Sequence, residues 1–218
     1  MLAALRRWIR PAAALDERRW VVVDVETSGL DVRRDRLIVI AAVALRVDEA
    51  RLAIDLGDSF EAVLRQPDQA SPPDKANILL HGVGVGAQRA GLPAVQVLQA
   101  FATFAGASPL LAFHAAFDRI MIQRARREAS LPPLRNPWLD LAPLAAVLRP
   151  DLHARSLDDW LAQLGIRCAQ RHQAAADTLA TADLLLKLWP ALCAHHPQPR
   201  FAKTAALVRQ RRWLQAGR

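Results

Sequence analysis

With 218 residues, 52% of them hydrophobic, the chain can bury one good-sized core and is short for two. Its 29 basic residues outnumber 21 acidic ones, and the net charge of +8 favours an anionic partner, nucleic acid or a membrane surface. Its longest strand-like apolar run, Leu37 to Leu45, falls well short of the roughly 20 residues of a membrane span, and two cysteines without metal-ligand spacing, Cys168 and Cys193, read as reduced core residues of a cytoplasmic protein.

Residues 1–18 are basic, carrying Arg6, Arg7 and Arg10. Leu2, Leu5 and Ile9 at helical spacing predict a short helix docked on the domain, with a transit or membrane-surface segment as the competing reading. Trp20 to Val23 form an apolar run that leads straight into Asp24 and Glu26. So apolar a run reads as a strand covered on both faces, and residues two apart on a strand share a face, so both carboxylates point the same way. Adjacent carboxylates repel and raise each other's pKa unless a cation lies between them; hard divalent ions suit such oxygen ligands. The alternative is a strand end with two solvated acids. Thr27, Ser28 and Gly29 then break the strand.

A charged turn from Asp31 to Arg36 leads to a second strand over Leu37–Leu45 and a third over Arg51–Phe60, a pattern of antiparallel hairpins. A polar loop over Gln66–Asp74 follows. The glycines between His81 and Gly86 have the wrong spacing for a dinucleotide loop. Pro93–Phe104 has helical periodicity. Leu110 to Phe113 is again an apolar run, and it leads through His114 and Phe117 to Asp118 at a strand-to-helix junction. The helix after Asp118 has an apolar face (Phe117, Ile120, Met121, Ala125), and its arginines (Arg119, Arg124, Arg126, Arg127) read as a solvated face or a nucleic-acid contact. Trp138–Leu141 opens a short strand or helix. Ser156 and Asp159 form a capping-box pattern before a helix that Gly165 ends. Finally Arg171 and His172 precede Asp177 on a long apolar-periodic helix. Five residues apart, His172 and Asp177 cannot share a helical face, so both reach one site only if His172 stands on the loop or first turn. Residues 195–218 form a basic, helix-like tail in which Phe201, Leu207, Trp213 and Leu214 are available for docking.

The order of these motifs, Asp24–Glu26–Thr27, Phe117–Asp118 and His172–Asp177, resembles the DEDDh (DnaQ-like) family of 3′–5′ exonucleases, which includes the proofreading epsilon subunits of bacterial polymerases and RNase T. The likeness runs from about Trp20 to Leu192 within a domain of residues 19–194. It implies an α/β, ribonuclease H-like fold, a mixed sheet of about five strands flanked by helices. It also implies phosphodiester hydrolysis with two Mg²⁺ or Mn²⁺ ions held by Asp24, Glu26, Asp118 and Asp177, with His172 as general base. By the same likeness Thr27, Gly29 and Leu30 would hold the 3′-terminal nucleotide, with His81 lining that pocket and Phe117 beside it. Many relatives have His-Asn where this chain has Phe113–His114, and His114 would substitute as a hydrogen-bonding group. The partners implied are single-stranded DNA or RNA 3′ ends, with a DNA polymerase as a further possibility and no membrane. RNA trimming and a non-catalytic nucleic-acid-binding module are the competing functions.

Overall fold

The computed structural model describes residues 14–67, 78, 79 and 81–216, with side chains through residue 210. The helix expected within residues 1–18 and most of the Gln66–Asp74 loop lie outside the described residues. Five strands, β1 (Arg19–Thr27), β2 (Leu37–Asp48), β3 (Arg51–Val63), β4 (Leu110–Ala112) and β5 (Trp138–Asp140), form one mixed sheet in the order β3-β2-β1-β4-β5. The first three are antiparallel hairpins, as the short turns predict, while β4 and β5 run parallel to β1. The helices are α1 (Val85–Ala90), α2 (Ala94–Ala105), α3 (Ala116–Glu128), α4 (Leu141–Leu148), α5 (Leu157–Gln163), α6 (Ala174–His195) and α7 (Phe201–Ala216).

β1 is central, and its pleat sorts its residues between two cores. Val21, Val23 and Val25 pack under α2 and α3 with Phe101, Met121 and Ile122. Trp20 and Val22 face the other way, under α6, with Leu184, Leu188 and Trp189. That even-numbered face continues to Asp24 and Glu26, so the alternation that buries Trp20 also aims both acids toward the α6 side. The tail joins the same core: Phe201 is buried edge-to-face on Trp20 with ring centroids 5.8 Å apart. The side chains of Trp213 and Leu214 lie outside the described set. Cys168 and Cys193 are free thiols packed at the rim of this core, half-buried, not central. The capping box is formed, with Ser156 Oγ accepting from the Asp159 N–H at 3.1 Å, and Gly165 takes φ +63° just past α5.

The faces of α3 depart from expectation: Ile120, read with the apolar face, is 45% exposed, because at about 100° per residue it points away from the buried Met121 and Ile122. Arg126 is buried, its guanidinium donating to the carbonyls of Leu98 (2.7 Å) and Pro132 (2.8 Å), so it ties α3 to α2 and to the following loop. Arg124 is half-buried and committed to Glu128 and the Val32 carbonyl. Only Arg119 and Arg127 of the four are solvated. The long guanidinium stem can lie along apolar surface, and periodicity alone does not register that. No helix among the described residues is long and apolar enough to cross a membrane.

Candidate active site

The acid cluster forms where three pieces of backbone end. Asp24 and Glu26 project from the last turns of β1 before a register shift at Glu26/Thr27. Asp177 lies in the first turn of α6, which packs across β1 and β2. One carboxylate oxygen from each of Asp24, Glu26 and Asp177 lies within 4.8 Å of the others. Asp118, in the first turn of α3, is buried and accepts a hydrogen bond from the Val25 backbone, which fixes it beside Asp24.

These neighbours shape the charge. Burial, then Asp118, Glu26 and Asp177, hold the Asp24 carboxyl well above the ordinary range, against an opposing pull from Arg171. Burial and the charge of Asp177 push Glu26 up to about 8, again against Arg171. Asp118 rises to about 7, mainly by burial, with its own and the Val25 backbone hydrogen bonds opposing and Asp140 adding repulsion. Acids held this far above their usual range mark a site short of positive charge. An all-oxygen donor set at this spacing suits a hard divalent cation, and Asp24, Glu26 and Asp177 could hold one.

His172 stands on the loop before α6 with φ +63°, and its backbone N–H donates to Asp177 Oδ2 at 3.0 Å. The positive φ turns the chain so that His172 and Asp177 meet across the helix start. Past Glu26, the Thr27 hydroxyl donates to the Gly29 carbonyl at 2.6 Å. Ser28 Oγ and the Asp31 N–H each donate to the Asp35 carboxylate at 2.8 Å. A Cβ on Gly29 would lie 2.5 Å from that carboxylate, so a larger residue there would have to displace the Asp35 side chain and its hydrogen bonds. Leu30 stands 86% exposed at its tip.

His81 is buried, its Nδ1 accepting from the Val83 N–H at 3.0 Å, and burial lowers its pKa. The opposite nitrogen, Nε2, is buried without a hydrogen-bond partner among the described residues. Its neighbour Val83 packs on Ala174 and Ala175 at the start of α6. Phe117 is half-buried in the α3 core. His114 is exposed at φ +61°, its ring edge-on to Phe113 (4.6 Å between centroids) and its N–H donating to Asp140 Oδ1 at 3.0 Å. No hydrogen bond links it to the acid cluster among the described residues.

Three neighbours of the cluster were not singled out from sequence. Asp140 ends β5, caps α4 by accepting from the Ala142 N–H at 3.1 Å, and adds charge near Asp118. Its signal was available, since Trp138–Asp140 is a third short strand ending in an acid. Arg171 bridges Asp177 and Asp158 and so brings a positive charge onto the cluster. The Cys168 thiol lies 3.6 Å from Asp177 Oδ1, a proximity no spacing rule could supply.

Residues 21–185 match the protein family described as exonuclease, RNase T. A DNA polymerase III PolC-type protein of Bacillus cereus is 33% identical over 174 residues, 80% of this chain and 12% of that protein. A DNA polymerase III subunit epsilon-like protein of Rhodobacter capsulatus is 36% identical over 184 residues, 82% of this chain and 25% of that protein. The chain thus spans a quarter or less of these relatives' length. In fold it is similar to E. coli exonuclease I solved with a dA16 oligonucleotide, with a TM-score of 0.67 at 19% identity, covering 82% of this chain and 41% of that one. The mixed five-stranded sheet flanked by helices is the shared fold. With the acids and histidine in the order read from its sequence, the chain belongs to the exonuclease family, in its DEDDh, DnaQ-like branch.

Proposed function

We propose that this chain is a divalent-metal-dependent 3′–5′ exonuclease that removes nucleotides from the free 3′ ends of single-stranded DNA. The observation that carries the reading is the convergence of Asp24, Glu26 and Asp177, from segments 150 residues apart in sequence, with Asp118 buried alongside. Nothing in a structural role needs four acids pressed together at a cost in pKa; chemistry on a phosphodiester does. The solved neighbour's dA16 ligand favours DNA over RNA.

In this reading Asp24, Glu26 and Asp177 hold one Mg²⁺ or Mn²⁺, and Asp24 with Asp118 holds a second. When bound, the ions supply charge for the attacking and leaving oxygens of an in-line displacement. The chain's own residues do the rest. The Asp177 carboxylate, fixed by the His172 N–H, anchors the loop on which His172 takes the proton of the attacking water. Leu30, exposed on a turn that Gly29 and Asp35 make rigid, wedges against the terminal base. Its need for an unpaired base selects single strands. The unpartnered Nε2 of His81 is a buried donor beside α6 for a polar group of that nucleotide. A polymerase partner belongs to this proposal and not to the family assignment, because the relatives that bear polymerase names are covered only in small part.

The test is a digest of matched 5′-labelled DNA and RNA oligonucleotides, single- and double-stranded, with Mg²⁺ or Mn²⁺. A ladder shortening from the 3′ end of single-stranded DNA is expected, suppressed by a 3′-phosphate and absent from Asp24→Ala, Glu26→Ala and Asp177→Ala. Cutting of circular single strands, or faster decay of RNA than DNA, refutes the direction or the substrate respectively.

A further inference from the structure

The outward face of α3 holds a feature that hydrolysis leaves unused. At about 100° per residue, Ile120, Arg124 and Arg127 cluster on the side of the helix opposite Asp118. A groove of about 870 Å³ lies between this face, the turn that follows Leu30 and the loop at residues 131–134. Among the described residues four arginines line it, Arg33, Arg119, Arg124 and Arg127, and no acid does.

Their charges are not spent alike. Arg124 is committed to Glu128 and the Val32 carbonyl. Arg33, Arg119 and Arg127 are exposed and, among the described residues, in no ion pair. By contrast Arg19, Arg46, Arg149 and Arg171 each pair with an aspartate. The wall between the three free guanidinium groups is apolar, with Ile120 45% exposed and Leu134 half-buried. Unpaired cations over an apolar wall are what a single strand asks of its track: charge for phosphates, and apolar or guanidinium surface for sugar and base faces. A protein interface would sooner be depleted of charge at its centre.

Position and length agree. The groove opens at Val32, two residues past the exposed tip Leu30, so it begins where a strand leaving the acid cluster over that tip would arrive. From Arg119 to Arg127 α3 rises about 12 Å at 1.5 Å per residue, the length of three to four stacked nucleotides at about 3.4 Å each. We propose that this groove is a second nucleic-acid subsite, holding the single strand on the 5′ side of the terminal nucleotide. The proposal rests on the exonuclease reading above. It makes affinity depend on strand length, because a short oligonucleotide fills the acid site without reaching Arg127.

The experiment compares the full chain with a variant combining Arg33→Ala, Arg119→Ala and Arg127→Ala. Hydrolysis of the p-nitrophenyl ester of thymidine 5′-monophosphate reports the acid site alone. Anisotropy of 5′-labelled, phosphorothioate-linked dT3 and dT12 over a NaCl series reports the strand. The variant should hydrolyse the ester at the wild-type rate, bind dT3 within about twofold of wild type and lose at least tenfold on dT12. Its salt slope should fall by about 0.7 for each phosphate contact removed, so by about 2 for three. An unchanged dT12 affinity and slope, with ester hydrolysis intact, overturns the subsite and leaves the exonuclease reading standing. A wild-type chain that neither releases nitrophenol nor trims 3′ ends overturns both.

Discussion

Glu26→Gln should make the metal-free protein more stable, although it removes a residue from the heart of the site. The Glu26 carboxyl is held at about 8 in the native chain against 4.5 when unfolded. Between those values the native state keeps a proton that the unfolded chain has released. Stability is therefore fully present below pH 4.5 and is lost as pH rises toward 8, the sign opposite to that of a salt-bridged acid. At about 1.4 kcal/mol per pKa unit, the loss from pH 5 to pH 8 is roughly 3–4 kcal/mol for Glu26 alone. Asp24 and Asp118 act in the same direction. For a chain of this size each kcal/mol moves Tm by about 2–4 °C, so wild type in EDTA should melt roughly 6–16 °C lower at pH 8 than at pH 5. The net charge of +8 pulls the other way, because self-repulsion among cations eases as pH rises, so a fall cannot come from it. Circular dichroism melts of both proteins in EDTA and in saturating Mn²⁺ decide the matter. Glu26→Gln should recover most of the loss at pH 8, match wild type at pH 5, and gain less from Mn²⁺. A variant melting at or below wild type at pH 8 in EDTA would refute the account of the cluster as charge-starved.

Three further outcomes follow from named contacts. Arg171→Ala removes the cation that offsets Asp177, so the metal-free protein should melt lower at pH 8 and the Mn²⁺-induced gain in Tm should grow; an unchanged gain shows that Arg171 does not act on the cluster. Arg126→Ala removes the guanidinium bonds to the Leu98 and Pro132 carbonyls and should cost about 1–3 kcal/mol by urea titration without altering the salt dependence of oligonucleotide binding. His172→Asn, chosen because asparagine tolerates the positive φ, should lower kcat by about 10²–10⁴-fold with oligonucleotide Kd held within a few-fold, whereas His114→Asn should not; the reverse result moves the base to His114.

The sheet was legible because its signals are local. Trp20 to Val25 and Leu37 to Leu45 are too apolar for anything but covered strands, and short turns between long strands leave antiparallel pairing as the economical outcome. The acids were legible one at a time, Asp24, Glu26 and Asp118 after apolar runs and Asp177 at the start of a long apolar-periodic helix. Their convergence was not, since no spacing within the chain brings Asp177 to Asp24; family likeness supplied that step, and the packing of α6 across β1 carries it out. Arg126 and Arg124 were misread because a charged residue at a solvent-side helical position looks the same whether its guanidinium faces water or a neighbour's carbonyl. Arg171 and Cys168 escaped for a related reason, lying on a loop whose path is set by one backbone bond, His172 N–H to Asp177.

That bond also bears on how the fold tolerates its own site. Asp118 and Asp177 each stand in the first turn of a helix, where backbone donors are unspent. Val25 lends a backbone bond to Asp118, His172 to Asp177, and both His114 and Ala142 to nearby Asp140. Asp24 and Glu26 sit instead on the central strand, whose backbone is taken up by pairing with β2, and only the more distant pull of Arg171 opposes their repulsion among the described residues. Burial and neighbouring carboxylates raise both acids, while Val23 and Val25, alternating with them, anchor the strand in the α2–α3 core. The acids with backbone donors are held in place by the protein; the pair without them is left for a cation to neutralise.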